Sequence, residues 1–129
     1  MTGEIGDTLI SALGNESTVH SFTEAREVIA SFAAPEDTFY EVDIEFCATG
    51  EIRKIAPYDI AYSLAVEDAE SRQFSPDGTE YESDYLITNF RQLQPGECIR
   101  GRVGFEIPKS SKPVAVSEQV TDGVLRWEL

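Results

Sequence analysis

Lysine is scarce in this sequence. Lys54, Lys109 and Lys112 stand beside seven arginines, and these ten basic residues face 24 acidic ones, for a formal net charge of −14. Such a surplus repels phosphate backbones and anionic bilayers, which sets nucleic acid aside as a partner. Histidine is scarcer still: any Ser/His/Asp or Cys/His arrangement would depend on His20 alone, and no nucleophile-elbow motif accompanies it. Two cysteines, Cys47 and Cys98, form neither a CxxC pair nor a Cys/His zinc spacing, which argues against a structural zinc site and a thioredoxin-like centre. No apolar run approaches the roughly 18 residues that cross a bilayer, so membrane insertion by this segment is not expected. The opening Met1-Thr2-Gly3-Glu4-Ile5-Gly6-Asp7 also lacks the basic and apolar regions of a leader.

What is present is the composition of a folded domain. Hydrophobic residues make up 41% of the 129 positions and lie in short clusters, so residues 1–129 read as a single domain with a core of its own. Abundant Asp and Glu beside so little Lys also read as salt adaptation, because high net charge keeps proteins apart in solution at the expense of self-repulsion in dilute salt.

Period-two alternation is the main structural signal. Tyr40, Val42, Ile44 and Phe46 alternate with Glu41, Asp43, Glu45 and Cys47, the pattern of a half-buried strand. From Asp59 to Glu67, Ile60, Tyr62, Leu64 and Val66 share a phase and predict a second strand. In a third, Ile99, Val103, Phe105 and Ile107 oppose Arg100, Arg102 and Glu106, and Pro108 closes it. Leu125, Trp127 and Leu129 predict a terminal strand. Short strands separated by Gly and Pro turns, with no long helical pattern, predict an all-β fold: an antiparallel two-sheet sandwich or a barrel. Ser21-Phe22-Thr23-Glu24 departs from this, having the form of a helix capping box with Phe22, Ala25 and Ile29 on one helical face.

Between the second and third strands, Ser75-Pro76-Asp77-Gly78 marks a turn, and the acidic stretch after it predicts a long surface connection. The acids Glu67, Asp68, Glu70, Asp77, Glu80, Glu82 and Asp84 are the candidate ligands for calcium, which prefers six to eight oxygens, although the EF-hand order is missing and a solvated acidic surface is the preferred explanation. Cys47 and Cys98 both fall on the charged phase of their strands. If those strands are antiparallel neighbours the two can form a cross-strand disulfide; otherwise they are free thiols. Arg91, Arg100 and Arg102 are expected to form surface ion pairs, and Asn15-Glu16-Ser17 is a glycosylation sequon for an exported protein.

Ile5-Gly6-Asp7-Thr8, the Phe39–Phe46 alternation, and Leu93-Gln94-Pro95-Gly96-Glu97 followed by Gly101, Val103, Phe105 and Pro108 together carry a resemblance. Over most of its length the chain resembles an immunoglobulin-like domain of unknown function found in bacterial and archaeal lipoproteins and secreted proteins, related to a mycobacterial secreted immunogenic antigen. The resemblance implies an immunoglobulin-like β-sandwich in which the region 17–29 is a strand. It also implies an extracytoplasmic life, and it carries over no catalytic residue and no cofactor.

The resulting expectation is a non-enzymatic interaction or spacer module of a surface lipoprotein or secreted protein, exported or anchored, whose partner is a protein or cell-surface component. A calcium-binding domain is the alternative, and a hydrolase using carboxylates the remotest reading. The hydrolase would require a concave pocket holding carboxyls of raised pKa. A cytoplasmic location is the alternative to export.

Overall fold

The computed structural model describes residues 1–51, 54–121 and 123–129. In chain order its elements are β1 (Thr2–Glu4), β2 (Thr8–Ile10), β3 (Glu16–Glu24), α1 (Glu27–Ala30), β4 (Asp37–Cys47), α2 (Pro57–Tyr62), β5 (Leu64–Asp68), β6 (Gln73–Phe74), β7 (Cys98–Pro108), β8 (Pro113–Val120) and β9 (Gly123–Glu128). They form two sheets, ordered β2-β3-β4-β7 and β1-β9-β8-β5-β6. All pairings are antiparallel except β1 with β9. The chain is thus an antiparallel two-sheet sandwich of the immunoglobulin-like class.

Alternation explains why the sheets stack. In β4 the phase Val42, Ile44 and Phe46 turns inward, in β7 Val103, Phe105 and Ile107 do so, and in β9 Leu125 and Trp127. These residues interleave with Val66 of β5 and Val116 of β8 to fill the space between the sheets. Trp127 is wholly buried, and its indole N–H donates to the Asp7 carbonyl at 2.9 Å. Its polar end is therefore satisfied inside the core.

Several local expectations give way to tertiary structure. Ser21 to Glu24 belongs to β3, paired with β4, and the helical tendency survives only as the single turn α1, so the strand does not run on to Ile29. The stretch expected as one strand from Asp59 to Glu67 divides into α2 and β5. Pro57 sits in the first turn of α2, and the Asp59 carboxylate accepts the Ala56 N–H at 2.8 Å, both helix-starting features that outweigh the apparent period of two. Strand β8 lay outside the sequence reading. The connection from residue 75 to 97 is more than a surface loop, because Leu86, Ile87 and Leu93 enter the main core.

That connection also covers the edge of β7. The Leu86 N–H donates to the Arg102 carbonyl, the Arg102 N–H to the Asp84 carbonyl, and the Asp77 N–H to the Gly104 carbonyl. Gly101 permits the approach, since a Cβ there would lie 2.4 Å from the Asp84 carbonyl oxygen. On the outer face, Tyr85 packs with Phe39, Ile29 and Ala25 into a second, smaller cluster.

Candidate functional site

At one end the sandwich is not filled. A cavity of about 370 Å³ opens between the β2–β3 turn, the segment before α2, α2 itself and the last residues of β8. Its volume lies in the range of small-molecule sites. Ala12, Glu51, Lys54, Gln119 and Thr121 are exposed at its mouth, while Asn15, Ser17, Phe46, Ile60 and Glu118 are buried within it.

Glu118 is the unusual member. On β8 it shares a phase with Val114, Val116 and Val120, and it lies in register with Leu64 of β5 and Leu125 of β9. The strand geometry therefore aims a carboxyl into the space between the sheets, where an aliphatic side chain would otherwise continue the core. Glu118 is 2% exposed, and its Oε1 has no hydrogen-bond partner among the described residues. Burial pushes the carboxyl up to about 7, against the opposing pull of the Ser17 hydroxyl. Ser17 arrives from the other sheet, on the inward phase of β3 beside Val19.

The rest of the wall is firmly held. Asn15 is buried: its side-chain N–H donates to the Glu51 carbonyl at 2.9 Å, and its Oδ1 accepts the Gly50 N–H at 2.9 Å. These bonds pin the chain after β4 against the β2–β3 turn. They also bury the sequon asparagine, so the folded chain offers no free amide there for glycosylation. Gly50 is needed at this contact, because a Cβ would lie 2.0 Å from the Leu13 carbonyl oxygen. The Ser63 hydroxyl donates to the Ile60 carbonyl at 2.6 Å and closes α2.

The residues singled out from sequence lie elsewhere. Cys47 and Cys98 are register partners on β4 and β7 and are joined by a disulfide on the outer face. Glu45 lies beside them, but sulfurs bonded to each other offer no thiolate for a metal. His20, at the bulge in β3, contacts Glu45 at 2.8 Å, with no cysteine or hydroxyl nucleophile bonded to its ring among the described residues.

The seven acids considered for calcium do not converge among the described residues. Asp68 is buried, and its oxygens accept the Glu70 and Arg72 N–H groups and the Arg72 guanidinium, which together outweigh burial and hold its pKa low. Glu67 pairs with Arg126, and Asp84 with Arg26 and Arg102. Glu70 lies 3.8 Å from Arg72, the Asp77 carboxylate accepts the Thr79 N–H, and Glu80 and Glu82 are exposed. Four of these acids are thus engaged by arginines and a fifth by a turn hydrogen bond. The three arginines are likewise paired: Arg91 with Glu97 at 2.7 Å, Arg100 with Asp43 at 3.0 Å, and Arg102 with Asp84 at 3.5 Å.

Sequence reasoning missed Glu118 because β8 itself went unseen. The available signal was Val114-Ala115-Val116-Ser117-Glu118-Gln119-Val120, a valine alternation with one acid on the apolar phase.

No protein-family description matches the chain, and no curated protein matches it in sequence. Solved structures do. The secreted protein MPT63 of Mycobacterium tuberculosis superposes with a TM-score of 0.74 at 16% identity, over 100% of this chain and 97% of its own. An uncharacterised β-sandwich protein from Clostridium difficile gives 0.58 at 12%, over 99% and 93% respectively. A conserved hypothetical protein from Bacillus anthracis gives 0.56 at 15%, over 95% and 88%. At these identities the likeness is one of fold.

Proposed function

We propose that this chain is a non-enzymatic binding module of a secreted protein or surface lipoprotein, and that it receives its partner at the open end of the sandwich. One observation carries the reading: Glu118, whose buried carboxyl has an oxygen without a hydrogen-bond partner among the described residues, lines a cavity large enough for a small molecule or for one group of a larger cell-surface component. Buried polar atoms are ordinarily satisfied, and an exception beside a cavity is where a ligand would supply the missing bond. The likeness in fold to a secreted protein supports an extracytoplasmic habitat, and a cross-strand disulfide suits an oxidising compartment. The acidic, lysine-poor composition supports salt adaptation of the same module.

The test is a fragment screen read by backbone amide shifts. Hits are expected to move Ser17, Ile60, Glu118 and Gln119 together. Hits that scatter over the surface, or gather at another face, would end the reading. A hydrolytic use of the cavity has one observation in its favour, the raised carboxyl of Glu118. Its second carboxyl would have to come from Glu51 or Asp59, and the Asp59 Oδ2 already accepts the Ala56 N–H. Turnover of chromogenic glycosides or esters that disappears in Glu118→Gln would replace the binding reading with that one.

A further inference from the structure

The lining of the cavity is chemically lopsided. Among the described residues, three carboxyl side chains, Glu51, Asp59 and Glu118, contribute to it beside one ammonium, Lys54, which is exposed at the mouth. The whole molecule adds a negative field of the same sign, and a low-dielectric cleft concentrates that field. An anionic ligand is opposed by both. Of the other lining residues, Phe46, Ile55, Ile60 and Val120 are apolar and offer contact area, while Asn15, Ser17, Ser63 and Gln119 are uncharged and polar.

Glu118 sharpens the choice of ligand. The fold does not need a carboxyl at this position, since its register neighbours Leu64 and Leu125 are aliphatic and its place on β8 continues the Val114 and Val116 row. A leucine would seal the end of the core. What the carboxyl supplies is a buried oxygen with no hydrogen-bond partner among the described residues, on a residue that lines the cavity. The group that best satisfies a buried carboxylate is a charged N–H donor.

We infer that the cavity binds a small organic cation, a primary ammonium or amidinium carried on an apolar body, with Glu118 as the inner counter-charge and Phe46, Ile55 and Ile60 as the walls for the body. This rests on the reading of the cavity as a binding site. Binding is coupled to ionisation: as the cation enters, the protonated fraction of Glu118 releases its proton to solvent and the carboxylate remains in the pair. Affinity therefore rises as pH climbs from about 5 to 8, while the ligand stays charged. Of the other groups lining the cavity among the described residues, Glu51 and Asp59 carry the sign that favours a cation, Lys54 opposes it, and the Ser17 hydroxyl from the opposite sheet favours the ionised form of Glu118.

The test compares three probes of similar shape, benzylamine, benzyl alcohol and benzoate, at constant ionic strength, by amide shifts and by the ¹³C shift of the Glu118 carboxyl. Benzylamine is expected to bind at the cavity at least about ten-fold more tightly than benzyl alcohol, a difference of roughly 1.4 kcal/mol. Benzoate is expected not to bind, and benzylamine should pull the Glu118 titration to lower pH. Glu118→Gln should reduce benzylamine to the level of the alcohol. Lys54→Ala, at an exposed position, should tighten benzylamine a few-fold, so the inference remains testable if the core variant fails to fold. If alcohol and amine bind equally and Lys54→Ala changes neither, the cavity remains a binding site and the cation assignment falls. If none of the three moves a cavity amide, both fall for ligands of this size. Amine shifts spread over the acidic surface and unchanged in either variant would mean unspecific attraction and overturn the assignment.

Discussion

Arg26 holds Glu41 by both carboxylate oxygens, Nε to Oε1 at 3.1 Å and Nη2 to Oε2 at 2.6 Å, while the Arg26 backbone N–H donates to Oε1 at 2.9 Å. Glu41 is 2% exposed, covered on the outer face of the β2-β3-β4-β7 sheet by the connection that carries Tyr85 and Asp84. Burial alone would raise its pKa. The side-chain and backbone hydrogen bonds from Arg26 outweigh that and lower it. The Tyr85 hydroxyl sits close by without a partner of hydrogen-bond geometry and is pushed upward in pKa, chiefly by burial and then by Glu41.

Arg26→Met leaves a buried carboxylate with the backbone N–H of residue 26 and, as its one remaining cation among the described residues, the more distant Arg102 at 3.8 Å, and is expected to cost about 3 kcal/mol in chemical denaturation. Because the folded pKa of Glu41 is depressed, the pair stabilises the protein above the ordinary carboxylate range and is lost as pH falls through the depressed value. Glu41→Gln should flatten that acid limb. An unchanged acid limb in the variant would show that other carboxylates control acid unfolding.

Glu118 predicts the opposite slope. Its folded pKa lies above the unfolded one, so the native state binds the extra proton and stability declines as pH rises from about 4.5 towards 7. At about 1.4 kcal/mol per unit, the loss is on the order of 3 kcal/mol. Calorimetry of Glu118→Gln across that window should show the decline removed. A slope identical to that of the parent would mean the carboxyl is ionised and hydrated in the fold.

The Cys47–Cys98 bridge closes a loop between residues 51 apart in sequence. Its effect is mainly to restrict the unfolded chain, and reduction or a Cys47→Ser/Cys98→Ser double substitution should lower stability by about 2–4 kcal/mol. The β4–β7 register should survive, because ten further residue pairs hold the two strands together. Amide spectra of the double variant check this: a native pattern with a lower denaturation midpoint is expected.

Gly101→Ala places a methyl against the Asp84 carbonyl and the Leu86 side chain. The cost expected is about 1–3 kcal/mol, with faster amide exchange confined to residues 84–87. Uniform loss of protection would mean that this connection unfolds only with the whole sandwich.

At a net charge of −14, KCl and NaCl should raise the melting temperature alike by screening self-repulsion. Calcium is expected to act only through ionic strength, given that Asp68, Glu67 and Asp84 already have arginine partners. A rise in melting temperature at sub-millimolar calcium would establish a specific site.

The sandwich was legible in the sequence wherever one face of a strand meets the core and the other meets water. β4, β7 and β9 satisfy this, so Val42 to Phe46, Val103 to Ile107, and Leu125 with Trp127 announce themselves by alternation. The division of α2 from β5 was concealed because Ile60 and Leu64 fit either period, and the decisive signals were the capping residues Pro57 and Asp59. The acids were visible but their partners were not. Pairing such as Asp84 with Arg26, 58 residues apart, is set by how the connection folds over the sheet. Glu118 was hidden for a different reason: a charged residue on an apolar phase breaks the pattern by which strands are found, and at this site the break is the feature of interest.

The hydrogen bonds that the 75–97 connection makes to β7 have a consequence for the molecule among its own copies. The other three sheet borders are β1, β2 and β6, each of three residues or fewer. β7, with 11 residues, is the long border, and it is occupied in part from within the chain at Gly104 and Arg102. A neighbouring molecule therefore meets stubs and a capped rail where it would otherwise find a template for continuing the sheet. Such a molecule can be held at high concentration without zipping onto itself.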